Sequence, residues 1–426
     1  MKMNRGVRSR LSPDSRIKEF CRFPCQHSRP AERLQSESAK THLGGEVGMF
    51  WTHLKMAFRI LRKQRLSAVI SILGLSIGLA FFALLVAYVR DELTFDRFHA
   101  KADRTYILTN EFRDRFLGAS HHFVAEMLEA DYPEVKPGST VRYAMHSQTV
   151  RLADTLVVKD FAFSDSGFFG MFSFGLIAGN PALALASPHN VVITAPAARA
   201  LGLDPNPLGR ALSIRIGERY QDFVVSGIIG DIPENSSLRF DGILPFSQVF
   251  DAFQIDVNNN DLVTLPMFST TFLDLPDPAT AASLRAKLPA LNDRLYGAMW
   301  KRIKMDPPKR GFDLLKLPDY HLGDVDVMAF VSRSRPAFSW TLSGIALLIL
   351  ILACFNSLNL SLAQNSARLK EVGVRKVIGA RRGQLVGQLL TESFLSGLVA
   401  LILGLVAAAL LVSSFNGLTG KRLSQG

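Results

Sequence analysis

Cysteine is nearly missing from this 426-residue chain: it occurs at Cys21, Cys25 and Cys354, and nowhere between Arg90 and Pro336. Whatever that long polar segment folds into, it folds without a disulfide. Cys21 and Cys25, with His27 nearby, have no second cysteine pair to complete a metal site. Cys354 lies in an apolar run, where a thiol packs as a small hydrophobe. Nucleotide and hydrolytic signatures are missing too. There is no G-x-x-x-x-G-K-[ST] phosphate loop, and Gly202, Gly209, Gly217, Gly227 and Gly230 do not form the dinucleotide fingerprint. His-Glu-x-x-His does not occur, and Gly74-Leu-Ser-Ile-Gly78 matches Gly-x-Ser-x-Gly only inside a long apolar run, without the strand-to-helix turn that a nucleophile elbow needs. His121 and His122 are adjacent on an expected helix over His122–Ala130 and cannot both face one ligand. The chain reads as a non-enzyme with no metal or cofactor site of its own, and any energy supply must come from elsewhere.

Three long apolar stretches are present instead: Leu66–Val89, Trp340–Ala363 and Leu385–Val412. Each is long enough, as a helix, to cross a hydrocarbon core of about 20 residues. The net charge of +12 would suit nucleic acid or anionic lipid, and its distribution decides for membrane. Lys55, Arg59, Arg62, Lys63 and Arg65 precede the first stretch without an acid among them. Arg368, Lys370, Arg375, Lys376, Arg381 and Arg382 crowd the link between the second and third, against Glu371 alone. Past the first stretch, Asp91, Glu92 and Asp96 surround Arg90 and Arg97. Retention of basic loops inside predicts a cytoplasmic start, an exported insert, a cytoplasmic link and an exported C-terminus. The fold class expected is an α+β membrane protein: three transmembrane helices, with a large extracytoplasmic mixed α/β domain between the first and second.

Residues 1–48 mix ten basic with five acidic residues and have no sustained apolar period, so they read as a disordered tail. They do not resemble a secretory signal, and translation starting at Met49 would make them spurious. Residues 49–65 place Phe50, Leu54, Phe58 and Leu61 on one helical face, the pattern of an amphipathic helix on the cytoplasmic membrane surface. In the first span, Gly74 and Gly78 have the small-xxx-small spacing, a weak signal for close helix contact. Asn356 in the second span calls for a polar partner or lies at headgroup depth. Glu392 in the third is expected near the cytoplasmic interface beside Arg381 or Arg382 rather than in a proton relay. In the segment 90–336, strands are expected at Thr105–Thr109, Leu156–Phe161, Val191–Thr194, Ala211–Ile216 and Phe223–Ile229. Further helices are expected at Ala197–Leu201 and Ala279–Leu288. Asp231-Ile-Pro-Glu-Asn-Ser-Ser reads as a turn, and its Asn235-Ser-Ser triplet carries no functional weight.

Several dispersed motifs then carry a specific resemblance. Trp51–Arg65, Tyr88-Val-Arg-Asp-Glu-Leu-Thr-Phe-Asp-Arg-Phe-His99 and Ala102-Asp-Arg-Thr-Tyr106 resemble the opening of FtsX-like, MacB-type permeases of ABC transporters. Asp165–Pro181 and Ile228–Ser236 resemble that family's periplasmic core domain, assigned here to residues 90–336. Arg368–Arg382, followed by Gln388 and Glu392, resembles its cytoplasmic loop.

The resemblance implies a permease subunit in the bacterial inner membrane, in an export or mechanotransmission complex. It would work with a cytosolic ABC ATPase that holds the ATP and magnesium, and with a second permease half or chain. Membrane lipid and an extracytoplasmic partner are further contacts; nucleic acid is not. The link 364–384 would dock on the ATPase through Glu371, Val372, Gly373, Val374, Arg375, Lys376, Val377, Ile378, Gly379 and Arg381. Long members of the family carry two such halves, so the segment 413–426 is expected to be a truncated end and the chain an N-terminal half. The alternative class is a membrane-anchored sensor or assembly scaffold not driven by ATP.

Overall fold

A computed structural model describes residues 65–112, 115–152, 155–256, 258–259, 261–323, 325–327, 336–367, 369–379 and 382–419. The expected tail and amphipathic helix lie outside these residues. Three described helices are long and apolar enough to cross a membrane: α1 (Arg65–Leu93), and two later ones at Pro336–Ala367 and Arg382–Thr419. Between the first two lies the extracytoplasmic domain.

Its strands are β1 (Thr105–Phe112), β2 (Arg115–Leu117), β3 (Thr140–Leu152), β4 (Thr155–Ser164), β5 (Leu176–Gly179) and β6 (Asn190–Thr194). They continue with β7 (Ala211–Ile216), β8 (Arg219–Ile229), β9 (Gly242–Pro245), β10 (Thr270–Asp274), β11 (Phe312–Lys316) and β12 (Val325–Asp326). Among the described residues these form one mostly antiparallel sheet in the order β12-β2-β1-β10-β3-β4-β9-β6-β8-β5. β11 branches from β1, and β7 bridges β3 and β8. The domain's helices include α2 (Val124–Asp131), α3 (Pro278–Ile303) and α4 (Leu317–Tyr320). The membrane part then continues with α5 (Pro336–Ala367), α6 (Leu369–Val377) and α7 (Arg382–Thr419).

All five expected strands are present, and the largest departure is β3. Its thirteen residues include Arg142, His146, Ser147, Gln148 and Arg151, so the middle of the strand shows little of the β-branched enrichment that marks one. Pairing holds it there: Tyr143 to Leu152 face Ser164 to Thr155 in continuous antiparallel register. His121 and His122 stand just before α2, not on it.

α3 is longer than the expected Ala279–Leu288, running through Pro289 to Ile303. Its start is well specified, with Pro278 in the first turn and the Asp277 carboxylate accepting the Thr280 N–H. A proline inside a helix costs about 3 kcal/mol. Beyond it, Leu291, Tyr296 and Trp300 continue the buried stripe of Leu284 and Leu288 against Tyr106, Leu108 and Leu314. Burying three such side chains, at roughly 1.5–3 kcal/mol each, outweighs the break.

Small residues set the approach of the membrane helices. A Cβ on Gly78 would fall 2.4 Å from the Ala353 Cβ of α5, and one on Gly74 would come 3.2 Å from Asn356 Nδ2. Ser71 and Ser357 hydroxyls lie 3.4 Å apart on the same seam. Gly404 of α7 would place its Cβ 2.9 Å from the Ser76 carbonyl of α1. The small-xxx-small spacing is therefore the α1–α5 contact, and Asn356 faces it. Ile70, Leu73, Ile77 and Phe81 remain exposed along α1, as side chains facing lipid should.

Gly78→Leu should separate α1 from α5 and lower the melting temperature of the purified protein, by the about 1–3 kcal/mol typical of overpacking. Gly344→Leu, where a Cβ meets nothing within 4 Å, should leave it unchanged. Equal melting of the two variants would contradict the packing described.

Candidate functional site at the joint between membrane helices and domain

α1 is apolar until its last turn, where Arg90-Asp-Glu-Leu-Thr supplies the polar groups a helix end needs. The Thr94 hydroxyl donates to the Asp91 carbonyl at 3.1 Å, and Arg97 Nε to the Leu93 carbonyl at 3.0 Å. Glu92 turns inward and is buried. Its Oε2 accepts from His321 Nε2 at 3.2 Å and from the Ser339 hydroxyl at 3.3 Å. His321 directly follows α4, and Ser339 lies in the first turn of α5. The Phe95 ring stacks on His321 at 3.4 Å between centroids, with 4° between planes. One carboxylate thus ties the end of the first span, the last part of the domain and the start of the second span.

The chain leaves α1 through Asp96, whose φ of +57° is left-handed and tolerable for aspartate. Two bonds hold it: its N–H donates to the Asn235 carbonyl, and its Oδ1 accepts from the Ser237 N–H, both at 2.8 Å. Asn235 Nδ2 in turn donates to the Thr94 carbonyl at 3.0 Å. Three residues on, His99 Nδ1 accepts the Ser173 N–H at 3.0 Å, and the Ala100 N–H donates to the Ser173 hydroxyl at 2.8 Å. His99 is packed among Phe98, Phe172 and Phe174. These rings join Phe168, Phe240 and Phe272 in the main core.

Burial sets the electrostatics. It raises Asp96 to about 6, partly opposed by the Ser237 bonds and by His321. It lowers His99 to about 4, so that the imidazole is neutral and accepts the Ser173 N–H. The hydrogen bonds of Glu92, Asp96 and His99 each tie segments that are distant in the chain. The arrangement fixes the first turn of α5 and the last turn of α1 to the domain.

The three motifs quoted separately from the sequence, Tyr88–His99, Asp165–Pro181 and Ile228–Ser236, converge here. A MacB-like periplasmic core domain matches residues 68–291, just over half of the chain, and an FtsX-like permease C-terminal region matches 343–425. The chain belongs to the MacB-type, FtsX-like permease family.

Among curated relatives, the macrolide export ATP-binding/permease protein MacB of Bdellovibrio bacteriovorus is 30% identical over 138 residues, 31% of this permease and 20% of the relative. The protein of the same name from Neisseria meningitidis serogroup A is 30% identical over 109 residues, 24% and 17% of the two chains. The permease therefore matches about a fifth or less of the length of these relatives. A solved permease domain from Porphyromonas gingivalis aligns with TM-score 0.40 and 18% identity, over 54% of this chain and 94% of that one. The family assignment rests on the two domain matches.

The link residues singled out from the sequence fall elsewhere. Val372, Gly373 and Val374 lie on α6 with Lys376 and Val377, followed by a turn at Ile378 and Gly379, where φ is +100°. Val374, Val377 and Ile378 are exposed. Arg381 lies outside the described residues, and the side chains of Glu371 and Arg375 are not among those described. Within α7, Gln388 Nε2 donates to Glu392 Oε1 at 2.9 Å. Sequence reasoning missed His321 and Ser339, which no local pattern marks, and it gave no weight to Asn235, whose triplet is the clasp on Asp96.

Asp96 sets a pH test. An acid whose folded pKa is raised gains stability as pH falls from about 6 toward the unfolded value near 3.9. His99, with a lowered pKa, loses stability as pH falls from about 6.5 toward 4. Asp96→Asn should therefore be more stable than the parent at pH 7, with the difference shrinking toward pH 4.5. Melting curves of the pair across that range check the sign. A difference that grows on acidification would refute the burial assigned to Asp96.

Proposed function

We propose that this permease is a subunit of an ATP-driven export or mechanotransmission complex in the bacterial inner membrane. In this reading, displacement of the membrane helices moves the extracytoplasmic domain through the Glu92 joint. The observation that carries it is the meeting of α1, α5 and the domain at one buried carboxylate. A sensor whose domain merely hung from a tether would need no such tie. ATP and magnesium would be held by a cytosolic ABC ATPase, and a second permease half or chain would complete the bundle.

The ATPase would dock on the link between α5 and α7. Support comes from its composition: the exposed Val374, Val377 and Ile378 offer apolar area, while Arg375, Lys376, Arg381 and Arg382 offer positive charge to acidic groups. Buried apolar side chains contribute affinity, and the charges contribute orientation and encounter rate. Transport of a macrolide, the cargo in the relatives' name, is one instance of the export that this arrangement would serve.

Arg375→Glu should weaken association with the cognate ATPase at least tenfold and abolish stimulated ATP turnover, leaving membrane insertion unchanged. Co-purification and turnover in lipid vesicles measure both. Undiminished association and stimulation in a correctly inserted variant would remove Arg375 from the docking surface. Reporter fusions after Arg104 should be external and those after Lys376 internal.

A further inference from the structure

The first two spans end level with each other on the exported side. Leu93 closes the first apolar run and Ser339 opens the second, and the bond from the Ser339 hydroxyl to Glu92 holds the two ends together. Trp340, next in the chain, is 78% exposed at that depth. An exposed indole at the end of a span marks the boundary between acyl chains and headgroups. The membrane surface therefore meets α1 in its last turn.

Two arginines occupy the outer side of that turn. Val86, Arg90 and Leu93 follow one another at helical spacing and are exposed, whereas Tyr88 and Glu92 on the other side are buried. Arg97 lies beyond the helix, but its Nε donates back to the Leu93 carbonyl, which returns its guanidinium to the same end. Arg90 and Arg97 are both exposed, and neither has an ion-pair partner among the described residues. Of the nearby acids, Glu92 and Asp96 are engaged inside the joint, and Asp91 is partly buried. Two open cations against one half-hidden acid leave this edge of the bundle positive.

An exposed guanidinium so close to lipid has few ways to be satisfied. Covering it with another apolar helix would strand the charge in a low dielectric. Arg90 lies three residues inside the end of its span, so its stem can follow the apolar surface while its head rises to the headgroups. At that level the acceptors on offer are phosphate oxygens, which a guanidinium fork binds through paired N–H groups. We infer that Arg90 and Arg97 form a binding site for the phosphate of an anionic lipid in the exported leaflet, its acyl chains running down the face that carries Val86. A net negative headgroup is favoured over a zwitterionic one, because a choline would bring a third positive charge to the pair. Through Arg97 the lipid touches the segment that carries Asp96, so membrane composition acts on the joint from outside. The site rests on the membrane reading of the spans and is independent of the ATPase.

The test uses the full chain in lipid nanodiscs, with Cys21, Cys25 and Cys354 replaced by serine and a bimane label on Val86→Cys, one turn below Arg90. Bromine atoms on the acyl chains quench the label at short range, so lipid bound elsewhere on the chain is not read. A basic side chain at an anionic membrane surface is worth about fivefold in affinity. Brominated phosphatidylglycerol should therefore half-quench the label at roughly a fifth, or less, of the mole fraction that brominated phosphatidylcholine needs. The same label on Ile77→Cys, exposed in the middle of the span, should show no preference. Arg90→Gln with Arg97→Gln should bring the two lipids to the same mole fraction, and Arg90→Lys with Arg97→Lys should keep most of the difference. Unchanged quenching by the brominated phosphatidylcholine shows that each variant is inserted. Equal quenching by both lipids at Val86→Cys would overturn the site, as would a preference equally large at Ile77→Cys or one that survives the glutamine pair. Loss of the preference in inorganic phosphate at matched ionic strength would also overturn it, by assigning the arginines to a soluble anion.

Discussion

A carboxylate taken out of water keeps its place only while hydrogen-bond donors reach it. Glu92 draws its donors from His321 and Ser339, 229 and 247 positions away in the chain. Removing one partner of a buried pair of this kind commonly costs about 3–5 kcal/mol. The end of the first span, the close of the domain and the start of the second span are therefore bound by one shared penalty for separation. Phe95 stacked on His321 adds dispersion to that tie, and Asp96, clasped by Asn235 and Ser237, fixes the direction in which the chain leaves the membrane.

Rigidity on either side makes such a tie useful. Below it, Gly74, Gly78 and Gly404 bring helix backbones close enough that small sideways displacements are shared. Above it, the phenylalanines around His99 belong to the main core of the domain. Interiors packed at crystal-like density transmit a displacement rather than absorb it. Sheet register continues the path: β3 and β4 pair along their whole length, and Arg142 of β3 holds Asp165 and Glu126 in ion pairs while lying over the Phe246 ring.

How much of this was legible in the sequence depended on the range of the signal. Spans were legible because a helix crossing lipid needs an unbroken apolar run, and charge placement gave their direction. Strands such as Ala211–Ile216 were legible from alternation, whereas β3 is polar enough that only its partners define it. The helix expected at Ala279–Leu288 runs on past Pro289, because the tertiary burial of Tyr296 and Trp300 is not visible in local sequence. The joint was half legible. Its motifs stood out one by one, but their convergence is a property of the fold, and His321 and Ser339 had no local mark at all. Gly74 and Gly78 had the right spacing, yet that spacing is too common among apolar helices to identify a contact by itself.

The domain leaves the membrane at Leu93 and returns at Pro336, and its two ends meet on a single side chain. An excursion of that length with coincident ends is, topologically, a closed loop inserted into a helical bundle. Domains whose termini lie together can be inserted, exchanged or enlarged without disturbing their host. Evolution can thus replace the body of this domain, with its sheet, and keep its attachment to the membrane helices unchanged. The residues it must retain are the few at the neck.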